Sequence, residues 1–173
     1  IDSPTGYTKD VIDYLDEVIK ELGYQTQRNK KGNLIVSVKG ENDYTLGLSA
    51  HVDTLGLMVR SIMPNGHLRF TMLGGLLLPT LDGEYCRIHT RGGKVYTGTI
   101  LSTSPSVHVF KDSRSKSRDE DNMYIRLDEN VKTKKDTLDL GIGNGDIVAV
   151  DTKFQFTESG YVKTRFLDDK ASV

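Results

Sequence analysis

Residues 57–72 read Leu57-Met58-Val59-Arg60-Ser61-Ile62-Met63-Pro64-Asn65-Gly66-His67-Leu68-Arg69-Phe70-Thr71-Met72, and the character of the sequence changes within them. Leu57 to Ser61 is an apolar run typical of a strand. Pro64-Asn65-Gly66 contains the residues of a turn, and the six residues after it begin a series of short strands. We therefore place a domain boundary near residue 63.

Upstream of this boundary, the pattern is that of an α/β layer. Apolar residues at three- and four-residue intervals predict a helix over residues 7–22, and Gly23 follows as a stop signal. Residues 33–38 and 44–51 are predicted as strands, the second of which ends at His51. One helix followed by largely apolar strands is typical of a sheet with a covered face.

Downstream, short strands follow one another with glycine or asparagine between them. This spacing predicts a small β barrel or sandwich whose strands include residues 67–72, 85–90, 95–102, 123–127 and 147–150. The chain returns near residue 156, and a strand over residues 161–166 is expected to rejoin the first domain. The sequence thus predicts an α/β domain in two parts, 1–62 and 157–173, with a β domain inserted at 63–156.

Charge and cysteine content exclude several classes of protein. The 23 Lys and Arg residues nearly balance the 24 Asp and Glu residues, which argues against a protein held to nucleic acid or to a membrane surface by bulk charge. The single cysteine, Cys86, cannot form a disulfide within the chain, and no apolar run approaches the roughly 18–20 residues that span a bilayer. With no basic, apolar leader at residues 1–4, we expect a cytoplasmic protein without nucleic-acid or membrane partners.

Residues 111–121 carry four basic and four acidic side chains and no apolar one. A segment of this composition buries little, so we expect a mobile surface loop. A basic patch for nucleic acid is the alternative interpretation, but the local net charge is zero.

The first candidate site lies in Ser49-Ala50-His51-Val52-Asp53. Because side chains alternate along a strand, His51 and Asp53 point to the same side, at the strand end where α/β sheets place ligands. A histidine that binds a metal through one ring nitrogen needs an acceptor for the N–H of the other nitrogen, and a carboxylate meets that need. A His-Asp pair with structural contacts alone is the alternative.

The second candidate site is Phe166-Leu167-Asp168-Asp169-Lys170. Adjacent carboxylates repel each other, and one or two divalent cations would relieve that repulsion. An acidic first turn of a helix is the alternative, because Asp caps free N–H groups and is favoured by the helix dipole.

Other residues point to structural roles. His67, His89 and His108 have no ligand partner at a telling spacing, so none is expected to be catalytic. Cys86 is expected to pack as a small buried thiol. The glycines at 141, 143 and 145 precede a strand and are interpreted as a turn.

Together, His51-x-Asp53 and the later Asp168-Asp169-Lys170 segment, separated by the β insertion, resemble the tetrahedral aminopeptidase family. These are cobalt- or zinc-dependent dinuclear peptidases, also named glutamyl aminopeptidases and, earlier, endoglucanases. The resemblance runs along nearly the whole chain, and its other motifs are Ser3-Pro4-Thr5-Gly6-Tyr7, Thr54-Leu55-Gly56-Leu57-Met58-Val59, Gly92-Gly93-Lys94, Gly98-Thr99-Ile100 and Leu140-Gly141-Ile142-x-x-Gly145-Asp146-x-Val148-x-x-Asp151-x-x-Phe154.

The resemblance implies a fold and a site. The fold is a zinc-peptidase-like α/β sheet domain with an inserted small β domain, which mediates self-association into a hollow tetrahedral oligomer. His51 would bind one divalent metal ion, and Asp168 would bridge two such ions, zinc or cobalt. Asp53 would serve catalysis by orienting His51. The peptide bond after Asp168 would be cis.

The resemblance also implies a reaction. The activity is that of a metal-dependent aminopeptidase, which removes N-terminal residues from peptide substrates. Two metal ions would polarise the scissile carbonyl and a water molecule, and a carboxylate would take the proton of that water.

The sequence departs from the family in one respect. The family supplies its general base and its remaining metal ligands after the Asp-Asp-Lys segment, where these 173 residues stop. His51 and Asp168 are two ligands for a site that needs about three protein ligands per metal. We therefore expect these residues alone to be inactive and to hold metal weakly or not at all. A non-catalytic binding or assembly module that uses the inserted β domain is the alternative function.

Overall fold

The computed structural model describes all 173 residues, Ile1–Val173. They divide into two units along the chain. Unit 1 comprises Ile1–Thr54 and Phe166–Val173, and unit 2 comprises Leu55–Arg165. The chain is therefore of mixed α/β class with a β unit between two parts of the other unit, as the sequence predicts.

Helix α1, Lys9–Glu21, is the main element of unit 1 and confirms the predicted helix. Its apolar residues recur on one face, on which Val11 is buried. The helix stops before Gly23, whose φ is 88°. Glycine adopts this left-handed conformation without a steric penalty, which makes it a common residue just after a helix.

Strands β1 (Thr26–Arg28) and β2 (Leu34–Val36) form a short antiparallel hairpin after α1. Arg28 ties the hairpin to the helix, because its guanidinium donates to Asp13 at 2.6 Å and to Asp16 at 3.1 Å. The hairpin thus depends on charged contacts more than on buried apolar area.

The strand predicted over residues 44–51 is wrong, because the structure has no strand there. Apolar side chains do alternate in this segment, but Tyr44, Leu46 and Leu48 are all exposed. No other strand of the chain pairs with the segment, so its backbone has no sheet to join. Alternation alone does not make a strand when the pairing partner is missing.

Unit 2 is built on a closed six-stranded barrel, which confirms the prediction of a small β barrel or sandwich and selects the barrel. The strands run in the order β3-β4-β7-β6-β5-β8 around the barrel, and each pairs antiparallel with its neighbours. Their bounds are β3 Gly56–Ile62, β4 Leu68–Leu73, β5 Tyr85–His89, β6 Val95–Ser102, β7 Met123–Leu127 and β8 Ile147–Val150.

The core of unit 2 consists of side chains that point into the barrel from alternate positions along each strand. The fully buried members of this core are Leu57, Val59, Leu68, Phe70, Ile88, Ile100, Met123, Ile125 and Val148. Cys86 is buried among them and its thiol donates to the Gly98 carbonyl at 3.4 Å. Burial raises the pKa of this thiol to about 12, so Cys86 is the buried thiol that the sequence predicts.

Strand β3 lies in the barrel, so the prediction that it belongs to the α/β domain is wrong. Leu57 pairs with Val148 of β8, and the whole strand pairs along β4. The division of the chain consequently falls after Thr54 and not near residue 63. The observed boundary lies earlier than the predicted one because β3 pairs with β8 and so closes the barrel.

The return segment also differs from the prediction. Strands β9 (Gln155–Phe156) and β10 (Val162–Lys163) pair with each other inside unit 2. The strand predicted over residues 161–166 is therefore shorter and does not join unit 1. Unit 1 resumes only at Phe166.

The charged segment 111–121, which the sequence predicts as a mobile surface loop, makes specific contacts with other parts of unit 2. Arg118 donates to Asp82 at 3.1 Å, and Glu120 accepts the backbone N–H of Met72 at 2.7 Å. The opposite charges are thus matched to specific partners on the barrel, a possibility that overall composition does not reveal.

Two short helical elements complete unit 2. A 3-10 helix covers Leu78–Leu81, and helix α2 covers Lys134–Asp139. Helix α2 is not among the elements predicted from the sequence, although Thr133 and Asp136 form a capping box at its start. The glycines from 141 to 145 form the turn that was predicted before β8. None of the chain's helices combines the length and the apolar character that crossing a membrane requires.

The hairpin of unit 1 should loosen in acid. The pKa of Asp13 is lowered by hydrogen bonds from Lys9 and Arg28, and that of Asp16 by hydrogen bonds from Thr26 and Lys20. Because their pKa values are lower in the folded state, the ionised forms of these aspartates stabilise the fold at pH values above 3.8, the ordinary pKa. This stabilisation is lost as the pH falls below that value and the carboxylates are protonated. We expect hydrogen-exchange protection of the β1 amides, corrected for intrinsic rates, to fall as the pH drops below 3.8. Protection that stays constant, or falls equally in an Arg28→Ala variant, would contradict this.

Gly98 should be required for close packing of β6 on β7. A Cβ at this position would lie 2.7 Å from the Arg126 carbonyl oxygen and 3.0 Å from Cγ2 of Ile125. We expect Gly98→Ala to lower the free energy of unfolding by about 1–3 kcal/mol in urea titrations. Gly92→Ala is the matched control, because its Cβ would meet nothing nearer than 3.9 Å. Equal effects of the two substitutions would refute the prediction.

Candidate functional site

Residues 52–54 of unit 1 are held in place by the segment at the start of the chain. Pro4 forms a parallel bridge with Thr54, and Thr54 N–H donates to the Ser3 carbonyl at 2.8 Å. The buried Ser3 hydroxyl donates to the Val52 carbonyl at 2.7 Å. These contacts fix the backbone immediately after His51.

The His51 ring lies between two aspartates. Its Nδ1 is 3.0 Å from Asp53 Oδ1 and 3.2 Å from the Asp53 carbonyl oxygen. Both of these atoms are acceptors, so Nδ1 carries a proton. On the opposite side of the ring, Nε2 is 3.1 Å from Asp168 Oδ1.

The surroundings of His51 favour its charged form. Partial desolvation acts to lower the pKa, but hydrogen bonds to Asp53 and Asp168 outweigh that effect and raise the pKa above its ordinary value.

Asp168 reaches His51 from the short helical segment α3, Leu167–Lys170. Phe166 just before it has φ of 61°, so the chain turns sharply at this point. The Asp168–Asp169 peptide bond is cis, as the resemblance implies. Asp169 Oδ2 accepts a longer hydrogen bond, 3.4 Å, from the His51 backbone N–H.

The two parts of unit 1 are also joined by Lys170. Its ammonium donates to the Ile1 carbonyl at 2.8 Å, and burial lowers the pKa of this group. The segment at the start of the chain therefore contacts both the His51 region and the Asp168 region.

The structure brings together the three residues predicted from the sequence: His51, Asp53 and Asp168. The other histidines lie in unit 2, where the ring of His67 stacks on Tyr124 with centroids 4.7 Å apart. Thr5, whose hydroxyl contacts Asp53, was not among the candidate site residues predicted from the sequence. The motif that begins at Ser3 was the available signal for Thr5.

The donor set of His51 and Asp168 fits a divalent metal ion. Imidazole nitrogen and carboxylate oxygen both bind zinc at about 2.0–2.2 Å, which puts two such atoms on one ion roughly 3.4 Å apart. The observed separation of 3.1 Å is close to that value. No group of three or more His, Cys, Asp or Glu side chains gathers within these residues, so the chain offers part of a ligand set.

A cavity of about 690 Å³ lies beside His51 and Asp53 within unit 1. Its walls include apolar side chains of α1 and β2, among them Ile12, Leu15 and Leu34. The candidate site therefore opens onto an apolar surface that these residues leave uncovered.

Comparison with known proteins identifies the family. The profile of the M42 glutamyl aminopeptidase family matches residues 32–173. YhfE of Bacillus subtilis (strain 168), which is named as an aminopeptidase, is 49% identical over 174 residues, covering 100% of this chain and 50% of its own. The lysyl aminopeptidase of Pyrococcus furiosus is 27% identical over 98% of this chain and 49% of its own.

The fold is shared with a solved member. The Pyrococcus horikoshii TET1 peptidase, which can assemble into a tetrahedron or a large octahedral shell, superposes with a TM-score of 0.80 at 28% identity. The match covers 98% of this chain and 49% of that one. The chain thus spans about half the length of the curated relatives it matches. On its sequence and its fold, this chain belongs to the M42 glutamyl aminopeptidase family of peptide hydrolases.

Proposed function

We propose that the protein containing this chain is a metal-dependent aminopeptidase that removes N-terminal residues from peptides. Membership of the M42 family supports the reaction class. The observation that carries the metal dependence is the approach of His51 Nε2 to Asp168 Oδ1, at 3.1 Å, from distant parts of the chain. The single cysteine, which cannot form a disulfide within the chain, favours a cytoplasmic location.

In this proposal, His51 and Asp168 are metal ligands and Asp53 is a positioning residue. Asp53 accepts a hydrogen bond from Nδ1–H of His51. The lone pair of Nε2 is then free for the metal, and the hydrogen bond increases the basicity of Nε2. Asp168 has two carboxylate oxygens and is largely exposed, so it can serve two ions at once. Zinc and cobalt both suit this combination of donors.

The metal ions would supply Lewis acidity toward the scissile carbonyl and an activated water. The contribution of this chain is to hold one imidazole and one carboxylate in a fixed orientation before any ion binds. At least one further protein ligand per ion is needed, and we propose that the general base and these ligands come from the part of the protein outside these residues. The 173 residues alone would then be inactive and bind metal weakly.

We also propose that unit 2 mediates self-association. The P. horikoshii relative can assemble into closed shells, and the barrel of this chain carries an exposed apolar turn that a second copy could cover. We call Val107, Val109 and Phe110 the apolar turn; Val109 is 74% exposed. Burying so exposed an apolar side chain in an interface would remove apolar surface from water, which is favourable.

The metal site can be tested in the whole protein with aminoacyl p-nitroanilide substrates and zinc calorimetry. We expect about two zinc ions per chain, and loss of at least one in His51→Ala and in Asp168→Ala together with loss of peptidase activity. Asp53→Asn should cost about 10–100-fold in zinc affinity, because it alters the hydrogen bond to a ligand. His108→Ala is the matched control.

Residues 1–173 expressed alone provide the second arm of this test. We expect this polypeptide to bind zinc far more weakly than the whole protein does. Tight binding of two ions by the short polypeptide, or equal activity of the His51 and His108 variants, would overturn the proposed site. A whole protein without peptidase activity would favour the non-catalytic assembly module.

Self-association can be tested with Val109→Asp in the apolar turn. We expect the charge to shift the protein from a large oligomer toward smaller species in light scattering coupled to gel filtration, because an unpaired charge is costly at an interface. Val95→Asp, also exposed and on the barrel, is the matched control. An unchanged mass distribution for Val109→Asp would rule out the apolar turn as a subunit contact.

A further inference from the structure

The segment Ser3-Pro4-Thr5, which we call the strap, lies alongside residues 52–54 and contacts them through both backbone and side chains. Thr5 N–H donates to the Thr54 carbonyl at 3.0 Å, and Thr54 N–H donates to the Ser3 carbonyl at 2.8 Å. These backbone bonds hold Thr5 next to Asp53 whichever side chain stands at position 5.

The Thr5 hydroxyl has two acceptors within reach and one proton to donate. It lies 2.7 Å from Asp53 Oδ2 and 3.3 Å from the Thr54 carbonyl oxygen. The shorter contact leads to an ionised carboxylate, and such charge-assisted bonds are the stronger kind. The proton therefore goes to Asp53.

Asp53 is consequently held at both oxygens. Oδ2 accepts from Thr5, and Oδ1 is 3.0 Å from His51 Nδ1. The Asp53 side chain is about one third exposed, so packing alone does not fix its rotation. With Oδ2 anchored, Oδ1 remains aimed at His51, and the ring remains turned with Nε2 toward Asp168.

We propose that Thr5 is a positioning residue for the metal site, acting through Asp53 on the orientation of His51. The inference rests on the proposed metal-binding role of His51 and extends that role to a residue 46 positions earlier. Thr5 does not touch the metal ligands itself. Its hydrogen bond restricts the rotation of the Asp53 carboxylate. The His51 ring is thereby kept in the orientation that binds the ion before the ion arrives.

The test compares Thr5→Val with Thr5→Ser in the whole protein. Valine keeps the shape of the side chain and removes the hydroxyl, whereas serine keeps the hydroxyl. We expect Thr5→Val to weaken zinc affinity by about 10-fold, the low end of the range for residues behind a ligand, and Thr5→Ser to stay within about 2-fold of the wild type. Zinc affinity is measured by competition with a chelating dye, and activity at saturating zinc should return to near the wild-type value.

Ser3→Ala is the structural control. Ser3 belongs to the same strap and is fully buried, but its hydroxyl donates to the Val52 carbonyl and not to Asp53. We expect Ser3→Ala to lower the melting temperature with little change in zinc affinity. If Ser3→Ala and Thr5→Val weaken zinc binding equally, or if serine fails to rescue, Thr5 has only a structural role and the inference is overturned.

His51→Ala separates failure of this inference from failure of the proposed function. If His51→Ala binds zinc as the wild type does, the metal site is wrong and the role of Thr5 is wrong with it. If His51→Ala loses zinc while Thr5→Val retains full affinity, the metal site stands and only the inference about Thr5 fails.

Discussion

The contact between His51 Nε2 and Asp168 Oδ1 joins two residues 117 positions apart, and it links the two chain segments that make up unit 1. Each partner is fixed by its own local contacts: Asp53 holds the imidazole from behind, and the sharp turn at Phe166 sets the direction of the Asp168 segment. Lys170 adds a second connection between the same two regions. A site assembled from such distant segments requires the intervening residues to form a unit of their own.

The barrel meets this requirement through its closure. Strand β3, which begins the barrel, pairs with β8, which ends it. Each of the six strands therefore has a neighbour on both sides within unit 2, and no strand is left as an open edge. The apolar core of unit 2 is likewise complete within its own residues. Unit 1 differs, since its hairpin relies on exposed ion pairs and its cavity is lined by both charged and apolar side chains.

The sequence allowed a large part of this description to be predicted. Period-two and helical patterns located α1 and the six barrel strands, because these elements bury one face within the chain. The pattern failed for residues 44–51, where alternation is present but a pairing strand is not. It also gave no sign of the contacts of the loop containing Arg118, because their partners lie far away in sequence.

The candidate site also contains residues that the sequence predicts and one that it does not. Residue type and position made His51, Asp53 and Asp168 candidates, and the resemblance to the aminopeptidase family implied their roles. Thr5 lies in one of the motifs of that resemblance, but nothing in the sequence indicates its contact with Asp53. Its position beside Asp53 follows from the Pro4–Thr54 bridge, which only the folded backbone reveals. Local patterns thus identify the proposed ligands more readily than the residues proposed to orient them.

The unpaired segment around Tyr44, Leu46 and Leu48 has a consequence for the order of events on the ribosome. It emerges before the barrel, which can close on itself once β8 has been synthesised. During translation the exposed alternating side chains are thus available to other nascent chains, and strands in this state tend to associate between molecules. Slow synthesis of the residues that follow would lengthen this exposure, so we expect the yield of the protein to depend on translation rate as well as on the stability of the fold.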